Sequence, residues 1–150
     1  VAIANRLDNI DSSSDVFPTT DYVLPTDPDG DNNEVIYCTR KVTLKTPANS
    51  IKTYLDAVKF DSAEIQVMYK ILRSDDASDF DEIGWEYFNT NGLPDTTVNA
   101  SVDNNDFIER EYTVEGLQEF ISFAIKIRMQ GTNSSEPPRV KDLRAIALAT

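Results

Sequence analysis

Apolar and polar side chains alternate residue by residue through most of the chain from Val35 onward. In residues 64–73, Ile65, Val67, Tyr69 and Ile71 occupy every second position. A strand collects such residues on one face, whereas an α-helix would scatter them around its axis. Together with the enrichment in β-branched and aromatic residues, the alternation predicts β-strands.

About seven segments carry this pattern, and turn-forming residues separate them. The predicted strands are residues 35–45, 51–60, 64–73, 85–88, 107–114, 120–129 and 140–148. Because each strand has one apolar face, the pattern favours an all-β, antiparallel two-sheet sandwich of the jelly-roll-like kind. We expect little helix, at most one turn within residues 74–83 and another within 114–120.

The alternation also predicts the core. The aliphatic residues expected between the two sheets are Leu55, Val67, Ile125, Ile127 and Ile146. The inward face of the first strand is predicted to carry Ile36, Cys38, Val42 and Leu44. Cys38, the only cysteine, is therefore expected to be a buried and inert thiol.

Residues 1–34 lack this periodicity and are strongly acidic. They contain eight acidic residues and one basic residue, Arg6, so they carry −7 of the net charge of −12. A segment with so few regularly spaced apolar residues does not offset the entropy of ordering. We therefore divide the chain into an acidic extended N-terminal arm, residues 1–34, and a β-sandwich domain, residues 35–150. The arm is expected to become ordered only against a partner chain, with Phe17, Tyr22 and Leu24 as anchors.

Three basic residues near the C-terminus, Arg139, Lys141 and Arg144, are the complementary candidates for an interface. In an acidic protein they could bind the acidic arm of a neighbouring subunit. Ordinary charge on a sheet surface is the equally weighted alternative.

The residue types present limit the chemistry. The chain has no histidine and one cysteine, which excludes Ser-His-Asp and Cys-His catalysis, His-ligated zinc and an internal disulfide. Acidic residues are dense in two loops, 27–34 and 75–82, but the first lacks EF-hand spacing and the second singles out no catalytic pair. We therefore expect no enzymatic activity, no cofactor and no metal.

The negative charge argues against nucleic acid and anionic membranes as partners, and no apolar run is long enough to span a bilayer.

Trp85 and Tyr87 fall on one side of a short predicted strand, where they could form an aromatic platform for a sugar ring. Packing in the core or in an interface is the competing interpretation, and the size of these side chains favours it.

Several later segments together resemble a known family. They are residues 39–44, 54–57, 65–70, 123–129, 131–133 and the closing run 138–148, PRVKDLRAIAL. In this order they resemble a β-sandwich domain at the C-terminal end of structural proteins in contractile-tailed bacteriophages, notably those of marine cyanobacteria. The resemblance covers about residues 35–150, leaves the arm unmatched and brings no catalytic motif.

The resemblance implies a virion structural component of the baseplate, tail fibre or a decoration layer. Its partners would be other virion proteins or copies of itself, and the protein would be oligomeric in the particle. Assembly in the host bacterial cytoplasm suits a lone reduced cysteine. The alternative function is a carbohydrate-binding sandwich that recognises a host surface glycan.

Overall fold

The computed structural model describes residues 35–133 and 135–150, and in these ranges the chain forms eight β-strands and no α-helix. The strands are β1 (Val35–Cys38), β2 (Val42–Ala48), β3 (Ser50–Val58), β4 (Ala63–Arg73), β5 (Glu86–Tyr87), β6 (Ile108–Val114), β7 (Phe120–Gly131) and β8 (Arg139–Leu148). The predicted all-β fold of two antiparallel sheets is confirmed.

The two sheets differ in size. The large sheet has five strands in the order β1–β7–β4–β5, with β2 also paired to β7, and the small sheet has three in the order β6–β3–β8. Strand β7 is the centre of the large sheet, since β4 pairs along one side of it and β1 and β2 follow each other along the other side.

The predicted first strand, residues 35–45, is broken into β1 and β2 at Thr39. The Thr39 backbone N–H donates to the carbonyl of Ile125 at 2.9 Å. The N–H of Ile125 donates not to a backbone carbonyl but to Thr39 Oγ1, also at 2.9 Å. The hydroxyl thus replaces a backbone acceptor, and the main chain leaves the ladder for three residues before β2 begins at Val42.

This break makes the predicted inward face of β1 wrong. Cys38 pairs with Lys126, and Ile36 pairs with Arg128, on the outer face of the large sheet. Tyr37 and Val35, paired with Ile127 and Met129, lie on the interior-facing side instead. Cys38 is accordingly exposed rather than buried. In β2 the predicted face is the interior-facing one, since Leu44 packs against the core and Val42, although 41% exposed, pairs with the core residue Phe123.

The core between the sheets is largely the predicted one. Leu55, Val67, Ile125 and Ile127 are all buried there. Ile146 is the exception, with 49% of its surface exposed. Strand β8 carries one extra residue between Arg144, opposite Tyr54, and Lys141, opposite Asp56. This bulge, at which Asp142 adopts a φ of 54°, exchanges the two faces for the rest of the strand, so that Ala145 and Ala147 point inward.

Residues 80–88 wrap around the large sheet and contribute to both of its faces. Phe80 and Trp85 pack with Met68 and Ala124 on the outer face. Phe88 enters the core between the sheets, where its ring centroid lies 5.0 Å from that of Tyr69. Short 3-10 turns at Phe80–Glu82 and Phe88–Thr90 make this path possible. The first falls within the predicted turn at 74–83, whereas the helical turn expected within 114–120 does not form.

Candidate assembly interface

Among the described residues, no strand closes the side of the sandwich where β1 and β8 approach each other. Within the described ranges each of these strands pairs on one side only, β1 with β7 and β8 with β3. A groove of about 360 Å³ lies between them. It is lined by Tyr37, Leu55, Ile127, Val140, Lys141, Asp142 and Leu143.

The apolar residues along this edge are not covered by the small sheet. Val35 is 65% exposed, Tyr37 52% and Val42 41%, although all three pair with core residues of β7. A strand edge with free backbone groups and apolar side chains is a template for pairing with another chain. The open edge is therefore the surface of the described chain best suited to binding a protein segment.

The three basic residues predicted for an interface all lie exposed on β8, which forms one wall of the groove. Each already has a contact within the chain. Arg144 donates to Glu109 Oε2 at 2.8 Å, and this hydrogen bond raises the pKa of the Arg144 guanidinium. Lys141 Nζ lies 4.2 Å from the centroid of the Phe107 ring, and Arg139 donates to the carbonyl of Asn104 at 2.8 Å. All three side chains thus reach towards β6 or the segment before it, and of the three only Lys141 also lines the groove.

The predicted anchors of the arm, Phe17, Tyr22 and Leu24, lie outside the described residues, as does the acidic run 27–34.

The predicted sugar platform is not formed. Trp85 is only 6% exposed and packs against the outer face of the large sheet, while Tyr87 is half-buried in the two-residue strand β5. The indole faces are occupied by protein, with Lys70 Nζ 4.7 Å from the ring centroid. Packing in the core, the competing interpretation, is what the structure supports for Trp85.

Sequence reasoning missed a cluster of three lysines beside this tryptophan. Lys70 and Lys126 are 6% and 1% exposed, and Lys41 lies exposed next to them. Lys41 Nζ and Lys70 Nζ are 5.3 and 4.5 Å from the centroid of the Phe80 ring. We call Lys41, Lys70 and Lys126 the lysine cluster. In the sequence, Lys70 and Lys126 alternate with apolar residues along their strands. This pattern normally places lysines on a face exposed to solvent, so it gives no sign that these two are buried.

Burial lowers the pKa of the Lys70 ammonium group, and the negative charges of Asp81 and Asp79 oppose this shift. Because desolvation is the larger effect, the cationic form of Lys70 is less favourable here than in water.

Comparison with protein-family models, with curated proteins and with solved structures gives no match to this chain. In the part of the chain that the structure describes, no helix is long and apolar enough to cross a membrane. In the same part, no group of three or more acidic or cysteine side chains is arranged to hold a metal ion.

Proposed function

We propose that this chain is a structural subunit of a bacteriophage virion, in the baseplate, a tail fibre or a decoration layer, and that it acts by protein–protein assembly. The observation that carries assembly is the open edge, with its apolar groove between β1 and β8. The virion assignment is supported by the resemblance of residues 35–150 to structural proteins of contractile-tailed bacteriophages.

The occupant that suits the groove is the distal part of the N-terminal arm of a neighbouring copy. An extended segment that adds to a sheet edge gains main-chain hydrogen bonds and places alternate side chains in pockets. Phe17, Tyr22 and Leu24 supply apolar anchors of the right kind. An arm of 34 residues has ample reach, since an extended chain spans about 3.3 Å per residue.

Charge favours the same pairing. The arm carries −7, of which residues 1–26 carry −3, and Arg139, Lys141 and Arg144 are exposed on β8, the strand to which it would add. Because these basic residues are exposed, their attraction is screened by salt. Carbohydrate binding has no such support among the described residues, since Trp85 is buried.

Sedimentation velocity of the full chain at low and high salt tests the proposal. The parent protein is expected to associate with rising concentration, more strongly at low salt. Tyr37→Glu should weaken association by about tenfold or more, because an aromatic anchor in an interface contributes over about 1 kcal/mol.

Val102→Glu is the matched control. Val102 is 83% exposed, and it does not line the groove, so the same change of charge should leave association unaltered. A parent protein that stays monomeric at every salt concentration would overturn the proposal, as would equal effects of the two substitutions. Circular dichroism checks that both variants are folded.

A further inference from the structure

We propose that a pocket at the other edge of the sandwich, between β4 and β6, binds a small organic carboxylate. The pocket has a volume of about 330 Å³, and Ile65 of β4 and Arg110 of β6 line it from the two sheets. The loop of residues 91–98 forms its outer wall. We call it the arginine pocket, after the residue expected to hold the carboxylate.

Arg110 is a buried cation with no carboxylate beside it. It lies opposite Leu55, on the same interior face of β6 as Tyr112, and only 3% of its surface is exposed. Among the described residues, no carboxylate lies within the 4.0 Å ion-pair distance of its guanidinium. A buried charge is costly unless it is paired, and burial accordingly lowers the pKa of the Arg110 guanidinium. An anion in the pocket would reduce this cost.

The hydrogen bonds of Arg110 leave part of its guanidinium available. Nη1 donates to the carbonyls of Ala57 and Ile108, at 3.2 and 3.3 Å. Nε and Nη2 donate to no group among the described residues, and neither belongs to the fully enclosed polar atoms that lack a partner there. These two nitrogens form one edge of the planar fork, and such an edge matches the two oxygens of a carboxylate. A carboxylate is therefore the anion that suits this site.

The rest of the lining suits the organic part of such a ligand. Ile65 and Leu93 supply apolar surface, and Leu93 is 41% exposed. Lys59 adds a second cation, whose ammonium group makes one long hydrogen bond, of 3.4 Å, to a backbone carbonyl. Thr96 and Thr97 contribute hydroxyl groups. Apolar walls with a few polar groups are typical of small-molecule pockets, whose volumes start at about 300 Å³.

The acidic residue of the pocket, Asp95, is held by the loop and by β6. Its Oδ1 accepts from the N–H of Thr113 at 2.9 Å and from Asn89 Nδ2 at 2.8 Å. Its own N–H donates to the carbonyl of Glu111 at 2.8 Å, and the carbonyl of Gly92 accepts from β4 at 3.0 Å. These bonds fasten the loop to both sheets, so the pocket is formed before a ligand arrives. Two cations against one carboxylate leave it net positive.

Nuclear magnetic resonance titration of the full chain with sodium butyrate, at constant ionic strength, tests the proposal. The Nε–H signal of Arg110 and the amide signals of Thr96 and Thr97 should shift saturably. We expect a dissociation constant on the order of millimolar, a range that a ligand with so few atoms reaches. Butyramide has the same shape without the charge, and it should bind at least about tenfold more weakly because charge-assisted hydrogen bonds are lost.

Three variants identify the residues responsible. Arg110→Met keeps the side-chain length but removes the charge, and it should weaken butyrate binding at least about tenfold. Lys59→Met should weaken it severalfold. Arg73→Met is the matched control, because Arg73 is exposed on β4 and does not line the pocket, and it should bind like the parent. Butyrate should raise the melting temperature of the parent and leave that of Arg110→Met unchanged.

Four results would overturn the proposal. They are no saturable shift in the parent, equal affinities for butyrate and butyramide, tighter binding of inorganic phosphate than of butyrate, and unchanged affinity in a folded Arg110→Met variant. If Arg110→Met does not fold, the comparison of butyrate with butyramide on the parent and the Lys59→Met titration decide instead. Tyr37→Glu alters only the groove between β1 and β8, so it should leave butyrate binding unchanged, and the two proposals fail independently.

Discussion

Two glycines with similar positive φ angles provide a controlled test of how the segment after β5 is held. Gly92 and Gly116 have φ values of 76° and 70°, in the left-handed region. A Cβ at Gly92 would lie 2.8 Å from Gln66 Cβ and 2.9 Å from Tyr87 Cδ1, whereas a Cβ at Gly116 would have no atom within 4 Å. Substitution by alanine therefore imposes a similar backbone strain at both positions but a steric overlap only at Gly92.

The magnitudes follow from these distances. A left-handed conformation costs an L-residue about 1–2 kcal/mol, of which about 0.4–1 kcal/mol is offset by the lower entropy of the unfolded chain. We expect Gly116→Ala to destabilise the protein by about 1 kcal/mol on this basis. Gly92→Ala adds an overpacking cost of about 1–3 kcal/mol, for a total of about 2–4 kcal/mol.

The overlap at Gly92 cannot relax freely. Its N–H donates to the carbonyl of Phe88 at 2.7 Å, and its carbonyl accepts from the N–H of Val67 at 3.0 Å. These bonds hold the loop against β4 and keep Phe88 in the core. Urea unfolding of the full-length variants gives both free energies, with an unchanged m-value as the check on two-state behaviour. Equal losses of stability in the two variants would refute the reasoning, since they would show that the close approach of Gly92 to β4 contributes nothing.

Two further predictions concern the core. In the same urea experiment, Leu55→Ala should lower the free energy of unfolding by about 2–5 kcal/mol, because Leu55 is buried. Ile146→Ala should lower it by under about 1 kcal/mol, because Ile146 is exposed. Similar losses in the two variants would contradict the position of the β8 bulge. Burial raises the pKa of the Tyr69 and Tyr112 phenols, and a hydrogen bond from Tyr69 to Glu86 raises that of Tyr69 further. In an ultraviolet titration of the folded protein, these two phenols should ionise at higher pH than exposed tyrosines. Because the same phenols ionise at lower pH in the unfolded chain, the free energy of unfolding should fall as pH rises above about 10. Simultaneous ionisation of all six tyrosines would contradict this.

The fold class and most of the core residues follow from local sequence patterns. Alternation with a period of two is a local property, because successive side chains of any strand point to opposite faces. It therefore located β3, β4, β6, β7 and β8 and identified Leu55, Val67, Ile125 and Ile127 as core residues without knowledge of which strands pair. The absence of histidine likewise limited the chemistry, because composition is independent of how the chain folds.

Where the alternation is interrupted, the pairing between distant strands sets which face of a strand is inside. A single extra residue at Asp142 and a three-residue break after Cys38 each reverse the faces, so Ile146 and Cys38 are exposed against expectation. Whether a strand takes such a bulge depends on the register of its partner, which is distant in sequence. The lysine cluster was hidden for the same reason, since Lys70 becomes buried only because residues 80–88 fold over the outer face of the large sheet.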